Sequence, residues 1–140
     1  MLVTDDITLY NKRYDRTAGK DIWFRTYIRG VTWKGGTLVN SGKGSLEEQG
    51  NISVRIPVTA DAMGKVYAVE NAWRGGGMPE FWTLQNGDII FRGIVDTPAE
   101  TDDMSQLLDE HLEAVTVLHW ADNRDPRNSA ALHHWRVVGK

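Results

Sequence analysis

The sequence predicts a mainly β protein, either a small β-barrel or a sandwich, with long loops and one short helix. Six or seven short segments are rich in aromatic and β-branched residues, and glycine-rich turns separate them. Only the segment after Asp96 carries apolar residues at helical spacing. The 140 residues suffice for one domain that buries roughly two-thirds of its unfolded surface. We therefore expect a single β-rich domain over residues 1–140.

The stretch Phe81–Val95, FWTLQNGDIIFRGIV, predicts the central hairpin of the fold. Its two arms would be joined by Asn86 and Gly87, because both central positions of a type I′ turn need positive φ and Asn-Gly tolerates this best. Asp88 would lie beside the turn. Gly93 indicates a bulge or a close approach of the backbone.

The N-terminal region predicts a second hairpin. Ile7–Tyr14 forms its first strand and Asp21–Trp33 its second, while the polar, glycine-containing Asp15–Lys20 connects them. A bulge is expected at Gly30.

Side chains alternate between the two faces of a strand. On the first strand, Ile7 and Leu9 share one face, and Asn11 is a third candidate for it. The second strand has a predicted core face of Ile22, Phe24, Thr26 and Ile28. Its other face interleaves aromatic residues with arginines: Trp23, Arg25, Tyr27 and Arg29.

The middle of the chain predicts two long connections around one strand. Lys34–Gly50 is glycine-rich, with a short strand possible at Thr37–Asn40, and it lacks the phosphate-loop pattern. Asn51–Val58 alternates cleanly with its isoleucines and valines inward, and Pro57 indicates an edge strand or a strand end. Thr59–Glu80 has no clear period, and a connection of this length is usually functional or orders on a partner.

The C-terminal region predicts the single helix and two strands. Within Asp96–Leu112, Asp102 and Asp103 are helix-start candidates, and apolar residues follow at helical spacing. Ala114–Trp120 is a strand, with either its valines or Thr116 and Leu118 facing inward. Leu132–Val138 closes the chain as a short strand.

Composition excludes several classes of function. The absence of cysteine rules out disulfides and thiolate metal sites. A net charge of −3 and a pI of about 5.8 argue against general nucleic-acid binding. No apolar run reaches the roughly 20 residues of a membrane span, and the first residues do not resemble a signal peptide. We expect a protein that stays in the cytoplasm of the cell that makes it.

The ionisable residues predict no catalytic, metal or cofactor site. His133 and His134 would point to opposite faces of a strand, so they cannot easily share one metal. No G-x-S-x-G pattern is present, and the adjacent Asp102 and Asp103 at the helix start are better explained as helix capping. A hydrolase built on His119, Asp122 and His133 is the least favoured alternative.

Two surfaces are candidates for binding. The Trp23, Arg25, Tyr27 and Arg29 face suits outward packing, a stacking platform for single-stranded nucleic acid, or an intersubunit contact. The acidic run is either a solvated helix face or a surface that meets a basic partner, and its candidate residues are Asp102, Asp103, Asp109 and Glu110. The six tryptophans either fill the core or anchor an interface.

The chain as a whole resembles an uncharacterised family of small phage and prophage proteins of Gram-positive bacteria. The segments that carry this resemblance are ITLYNKRYD, DIWFRTYIRGVTW, ISVRIPV, WTLQNGDIIFRGIV and the closing HHWRVVGK. Proteins of this type are encoded among virion morphogenesis genes, and by analogy they look like head-closure (stopper) or neck components.

The resemblance implies a small β-barrel that assembles as a ring beneath the portal, with portal or adaptor and tail or neck proteins as partners. It implies long loops that reach the lumen and hold back packaged DNA, with Lys43, Lys65 and Arg74 as the DNA-facing cations. It brings no catalytic residues and no cofactor. Localisation in the virion, and in the host cytoplasm during assembly, follows from it. The alternative is a small β binding module for peptide, carbohydrate or single-stranded nucleic acid.

Overall fold

Six antiparallel strands of this protein pair with one another in a closed circuit. The computed structural model describes residues 5–35, 51–77, 80–96, 100–111, 113–124, 127 and 133–140. The strands are β1 (Asp5–Asp15), β2 (Lys20–Gly35), β3 (Ile52–Pro57), β4 (Val66–Tyr67), β5 (Phe81–Trp82), β6 (Ile89–Arg92), β7 (Glu100–Thr101), β8 (Ala114–Asn123) and β9 (His134–Gly139). The helices are α1 (Glu70–Ala72), which continues as a π-helical turn over Trp73–Gly77, and α2 (Met104–Glu110).

The circuit runs from β1 through β6, β8, β9, β3 and β2, and β2 pairs with β1 again. The long strand β2 makes this possible, because its first part pairs with β1 and its last part, Thr32–Gly35, pairs with β3. The short β7 joins β2 at Trp23 and Phe24. A separate parallel pair consists of β4 and β5.

Two apolar clusters lie on the two faces of β1, because successive side chains point to opposite sides. The inner core receives Ile7 and Leu9, together with residues of all six strands of the circuit. The outer core receives Tyr10 and is closed by Met104 and Leu107 of α2. Helix α2 therefore covers the outside of β1 and β6.

The predicted fold class is confirmed, and so are most strand positions. The faces of β1 and β2 alternate as expected, with Ile7 paired to Ile28 and Lys12 paired to Trp23. On β8 the valines are the inward pair, since Val115 and Val117 are buried. The predicted helix lies at Met104–Glu110. The six tryptophans are all buried or half-buried.

The predicted hairpin over residues 81–95 is wrong. β5 and β6 do not pair with each other: β5 pairs with β4, and β6 pairs with β1 and β8. Gly87 has a φ of +96°, but Asn86 does not share the positive φ of a type I′ turn. Buried side chains replace the missing partner strand, because the Asn11 amide bonds both backbone groups of Thr83.

The region around β3 also differs from expectation. β3 is an interior strand that pairs with both β2 and β9, so the edge-strand alternative for Pro57 is wrong. The other alternative, a strand end, is confirmed, because Pro57 is the last residue of β3. Val58, predicted to face inward, is exposed. The segment 59–80 contains β4 and the helical turn. The predicted loop over residues 34–50 and its short strand Thr37–Asn40 lie outside the described residues, apart from the end of β2.

No helix among the described residues is both long enough and apolar enough to span a membrane.

Candidate functional site

The β1–β2 hairpin projects beyond the rest of the circuit. β6 pairs with β1 only from Ile7 to Tyr10, whereas β1 and β2 remain paired as far as Asp15 and Lys20. The projecting part turns at Gly19, whose φ is +72°. Its inward-facing side carries Asn11 and Arg13, the next residues in the series that begins with Ile7 and Leu9.

A cavity of about 680 Å³ lies between this hairpin and the helical turn at residues 73–77. We call it the arginine cavity, and its lining residues are Arg13, Tyr14, Asp15, Arg16, Thr17, Ile22, Phe24 and Arg74. The Phe24 ring meets the buried Trp73 ring edge-to-face, with centroids 5.8 Å apart. An aromatic and aliphatic floor is thus bordered by three guanidinium groups.

The arginine cavity carries surplus positive charge. Arg13 and Arg16 form no ion pair with the described residues. The nearby Asp15 carboxylate accepts the backbone N–H groups of Thr17 and Ala18 at 2.9 and 3.3 Å. Arg74 has an ion pair, since its Nε lies 3.0 Å from Glu70 Oε2. An anionic group is the natural complement of such a cavity.

A buried polar network lies directly behind the cavity, centred on Asp88. Its carboxylate has no solvent exposure and accepts four N–H groups. Oδ1 accepts the Lys12 backbone N–H at 2.9 Å and Gln85 Nε2 at 2.9 Å. Oδ2 accepts Asn11 Nδ2 at 2.7 Å and the Gln85 backbone N–H at 3.0 Å. These bonds join β1 to the turn before β6.

The same network fixes the guanidinium of Arg74 and the backbone beside Arg13. Gln85 Oε1 accepts Nε and Nη2 of Arg74, at 3.3 and 2.9 Å. Gln85 Nε2 also donates to the Lys12 carbonyl at 3.0 Å, which holds the backbone next to Arg13. Guanidinium groups fixed by buried partners lose less freedom when an anion binds.

Burial raises the pKa of Asp88 to about 7, against the opposing effect of its four hydrogen bonds. Every partner is an N–H donor, so the bonding pattern suits the ionised carboxylate. The side-chain amides of Asn11 and Gln85 are held by further hydrogen bonds, so neither amide oxygen is free to accept a hydrogen bond from a protonated Asp88. Because Asp88 is fully buried, it acts on the site through its hydrogen bonds and is not itself accessible to a ligand.

A second, smaller cavity of about 290 Å³ is aromatic. Tyr67, Trp82 and Trp135 form mutual ring contacts with centroids 4.8 to 5.1 Å apart. The Arg124 guanidinium lies 4.8 Å from the Trp135 centroid and is paired to Asp122 at 2.6 Å. Trp135 Nε1 is buried and has no hydrogen-bond partner among the described residues.

The structure engages the predicted aromatic–arginine face within the chain. Trp23 packs on the outer core, and Tyr27 donates its hydroxyl to the Val95 carbonyl at 3.1 Å. The Arg25 guanidinium stacks 4.3 Å from the Tyr27 centroid. Arg29 lies 3.6 Å from Asp6. Much of this face is therefore used in intrachain packing.

The predicted acidic residues lie on and before α2. Asp102 pairs with Lys20, and this cation lowers the Asp102 pKa. Asp103 is the N-cap residue, although its side chain makes no capping bond. Asp109 and Glu110 are exposed.

The two predicted DNA-facing cations that the structure describes, Lys65 and Arg74, line different cavities. Arg74 lines the arginine cavity. Lys65 is half-buried and donates to the Arg25 carbonyl at 2.6 Å, and burial lowers its pKa. Lys43 lies outside the described residues.

Within the part of the chain that the structure describes, no group of three His, Asp or Glu side chains could hold a metal ion. Asp122 has its carboxylate bonded by Arg124, and that bond lowers the Asp122 pKa. His119 is exposed on β8.

Sequence analysis missed the arginine cavity and its buried network. The alternation of β1 did place Asn11 on the inward face, and a buried asparagine signals a polar network. Arg13 follows in the same series. Neither Arg16 nor Gln85 gave a local signal, because their roles depend on segments far apart in the chain.

Residues 2–140 match DUF6751, a family of unknown function. The match includes every described residue of the hairpin, the arginine cavity and the buried network. No curated protein and no solved structure matches the chain.

Proposed function

This chain belongs to the DUF6751 family, whose function is unknown, and we propose that it is a phage virion assembly protein. In this proposal it is a subunit of a head–tail connector ring, a head-closure (stopper) or neck component that docks below the portal. It acts through its shape and its interfaces and catalyses no reaction. Its partners are further copies of itself and the adjoining portal, adaptor, neck or tail proteins.

The observation that carries the proposal is the closed circuit of six strands with a projecting hairpin. Each of the six strands pairs with two others of the circuit, so the circuit gives a rigid body that can be repeated in a ring. The hairpin adds an arm that extends past this body. Both features suit the small β-barrel ring subunits to which the sequence resemblance points.

The buried polar network supports a structural role for its ionisable groups. Asp88 is the one described carboxylate with no solvent exposure, and its four bonds tie the base of the hairpin to the neighbouring turn. A hairpin fixed in this way keeps its orientation when it meets a partner. This is useful in an assembly protein, whose contacts depend on shape complementarity.

Mass spectrometry of purified virions tests the proposal. Particles from the cell that encodes this chain should contain it in multiple copies per portal, while the isolated chain should be a monomer in dilute solution. Deletion of its gene should leave heads that lose their DNA or lack tails, and plasmid-borne expression should restore infectivity. Absence of the chain from purified particles, together with normal yield after deletion, would remove the proposal.

A second candidate function is a small β binding module for peptide, carbohydrate or single-stranded nucleic acid. The aromatic cavity favours it, because three rings and the unpartnered Trp135 Nε1 could receive a ligand with an acceptor. Titration with oligonucleotides, oligosaccharides and peptides should then give a saturable change in tryptophan fluorescence. Trp135→Phe should abolish that change, and an unchanged spectrum with all three ligand classes would count against this function.

A further inference from the structure

The arginine cavity and helix α2 lie on opposite faces of the β1–β2 hairpin. Arg13 pairs across the hairpin with Ile22, and both line the cavity. Lys12 pairs with Trp23 on the other face, where Trp23 packs against the cluster that contains Met104 and Leu107 of α2. One subunit therefore presents two different surfaces in opposite directions.

These two surfaces have opposite charge. The cavity contains Arg13 and Arg16, which form no ion pair with the described residues, the Glu70-paired Arg74, and one carboxylate, Asp15, so its lining has a net positive charge. Helix α2 exposes Asp109 and Glu110 on a chain segment that has no lysine or arginine between Asp96 and Leu118.

The apolar parts of the two surfaces are also complementary. Leu108 of α2 is 39% exposed and adjoins Asp109. The floor of the arginine cavity consists of Ile22 and Phe24. Leu108 beside two carboxylates is therefore complementary to an apolar floor beside arginines.

We infer that the arginine cavity receives the exposed side of helix α2 from a second copy of this chain. In this contact Asp109 and Glu110 pair with Arg13 and Arg16, and Leu108 lies on the floor formed by Ile22 and Phe24. The two patches differ, so the contact is heterologous and repeats head to tail. Arg25 and Arg29 of the predicted aromatic–arginine face are less suited to pair with this helix, since both are engaged within their own chain.

The inference deepens the proposed connector function and rests on it for the ring, whereas the contact itself is a property of the isolated chain. Cysteine trapping can test it without background, because the chain has no cysteine. Thr17 lies at the cavity and Ser105 is exposed on α2, one turn before Asp109. Replacing both leaves every charge of the contact in place.

The double variant Thr17→Cys, Ser105→Cys should form a ladder of disulfide-linked dimers, trimers and larger species on mild oxidation at high protein concentration. The matched control is Thr17→Cys, Thr59→Cys, because Thr59 is equally exposed but lies away from α2. It should give only the background of random collisions. Equal yields from the two pairs would overturn the inference.

Charge reversal in the trapping variant provides the second arm. Arg13→Glu with Arg16→Glu makes the cavity acidic, and Asp109→Lys with Glu110→Lys makes the helix basic. Each variant alone brings like charges together, so each should lose the ladder. An equal mixture pairs the acidic cavity with the basic helix and the unaltered cavity with the unaltered helix, so the ladder should return. Recovery on mixing also shows that both variants are folded.

Three outcomes would overturn the contact: equal ladders from the trapping and control pairs, a ladder that survives either charge reversal, or no recovery on mixing. Binding of a labelled DNA oligonucleotide that Arg13→Glu with Arg16→Glu abolishes, without any ladder, would assign the cavity to nucleic acid. The connector function fails separately. If the chain forms the ladder but is absent from virions, the contact is retained and the connector function is rejected. If the chain is present in virions but forms no ladder, the connector function is retained and the contact is rejected.

Discussion

Asp88 shows how one buried side chain can define a site that it does not touch. It has no solvent exposure and no ion pair among the described residues, so N–H donors alone stabilise its charge. Through Gln85 it holds Arg74, and through the Lys12 backbone it holds the strand that carries Arg13. The position of the Arg74 guanidinium and that of the backbone beside Arg13 therefore depend on a carboxylate behind them.

The raised pKa of Asp88 predicts a pH-dependent stability. Its pKa is about 7 in the folded chain and about 4 in an unfolded one, so the unfolded chain loses this proton first as the pH rises. The contribution of Asp88 is therefore complete below about pH 4 and is lost between about pH 4 and pH 7. The free energy of unfolding should fall by up to about 1.4 kcal/mol per pH unit within that range from this group.

Urea unfolding followed by tryptophan fluorescence measures this dependence. Asp88→Asn removes the titrating group, so the difference between the wild-type and variant unfolding free energies should change with pH over that range. Asp109→Asn, which alters an exposed carboxylate, is the control. Parallel pH profiles for the wild type and Asp88→Asn would contradict the assignment.

Asn11 has a separate consequence. Asn11→Ala removes the donor to Asp88 and leaves both backbone groups of Thr83 without their side-chain partner. Unpaired buried polar groups cost about 1–3 kcal/mol each, so the variant should lose about 2–4 kcal/mol of unfolding free energy. Asn51→Ala, at an exposed asparagine, should change it by about 0.5 kcal/mol at most. Equal losses of unfolding free energy for the two variants in chemical denaturation would show that the network does not stabilise the fold.

For single residues, the sequence predicts on which face of a strand a side chain lies, but not whether that side chain is buried. The period of β1 placed Asn11 with Ile7 and Leu9, which the structure confirms. The same reasoning placed Asp88 beside a turn, where an aspartate is usually exposed. Its burial depends on β1 and on Gln85, whose approach only the folded chain specifies.

Helix α2 is the element that closes the outer core. Its residues Met104 and Leu107 are buried against Tyr10 and Phe91, whereas Leu108 is exposed. Leu107→Ala should therefore cost about 2–5 kcal/mol of unfolding free energy through lost burial and the remaining cavity. Leu108→Ala, in the same helix, should cost about 0.5 kcal/mol in a dilute monomer. Thermal unfolding of the two variants checks the difference, and similar shifts would contradict the position of α2.

Strand β9 is the element that joins β8 to β3, and Gly139 is its tightest point. A Cβ at Gly139 would lie 2.6 Å from the Thr116 carbonyl oxygen, which belongs to the backbone and cannot turn away. Gly139→Ala should therefore lower the unfolding free energy by about 1–3 kcal/mol. At Gly75 a Cβ would meet nothing within 4 Å, so Gly75→Ala should be neutral or slightly stabilising. The denaturant midpoints of the two variants measure this difference. An unchanged midpoint for Gly139→Ala would contradict the position of β9.

Strands with clean alternation could be predicted at this scale, but their partners could not. β1, β2, β3 and β8 follow from local pattern, and α2 follows from its apolar spacing. The hairpin expected over residues 81–95 was wrong because the pairing of β6 is decided by β1 and β8, which are distant in sequence. Two-residue strands such as β4 and β5 carry no period at all.

The whole molecule combines a closed circuit of strands with two oppositely charged surfaces on the faces of one hairpin. In the proposed ring, the closed circuit would be the repeating body, and the two different surfaces would set the direction of the repeat. The aromatic and β-branched segments predicted the fold class, since the strands of the circuit can be recognised in the sequence. The arginine cavity was not predictable, because Arg13, Arg16 and Arg74 meet only after the hairpin and the helical turn have been placed.

Cryo-electron microscopy of the virion neck is the most direct test of the proposed connector role. The account predicts a ring beneath the portal into which copies of this chain fit, each with its α2 against the arginine cavity of the next. A neck fully explained by other chains, in particles that lack this one, would contradict it.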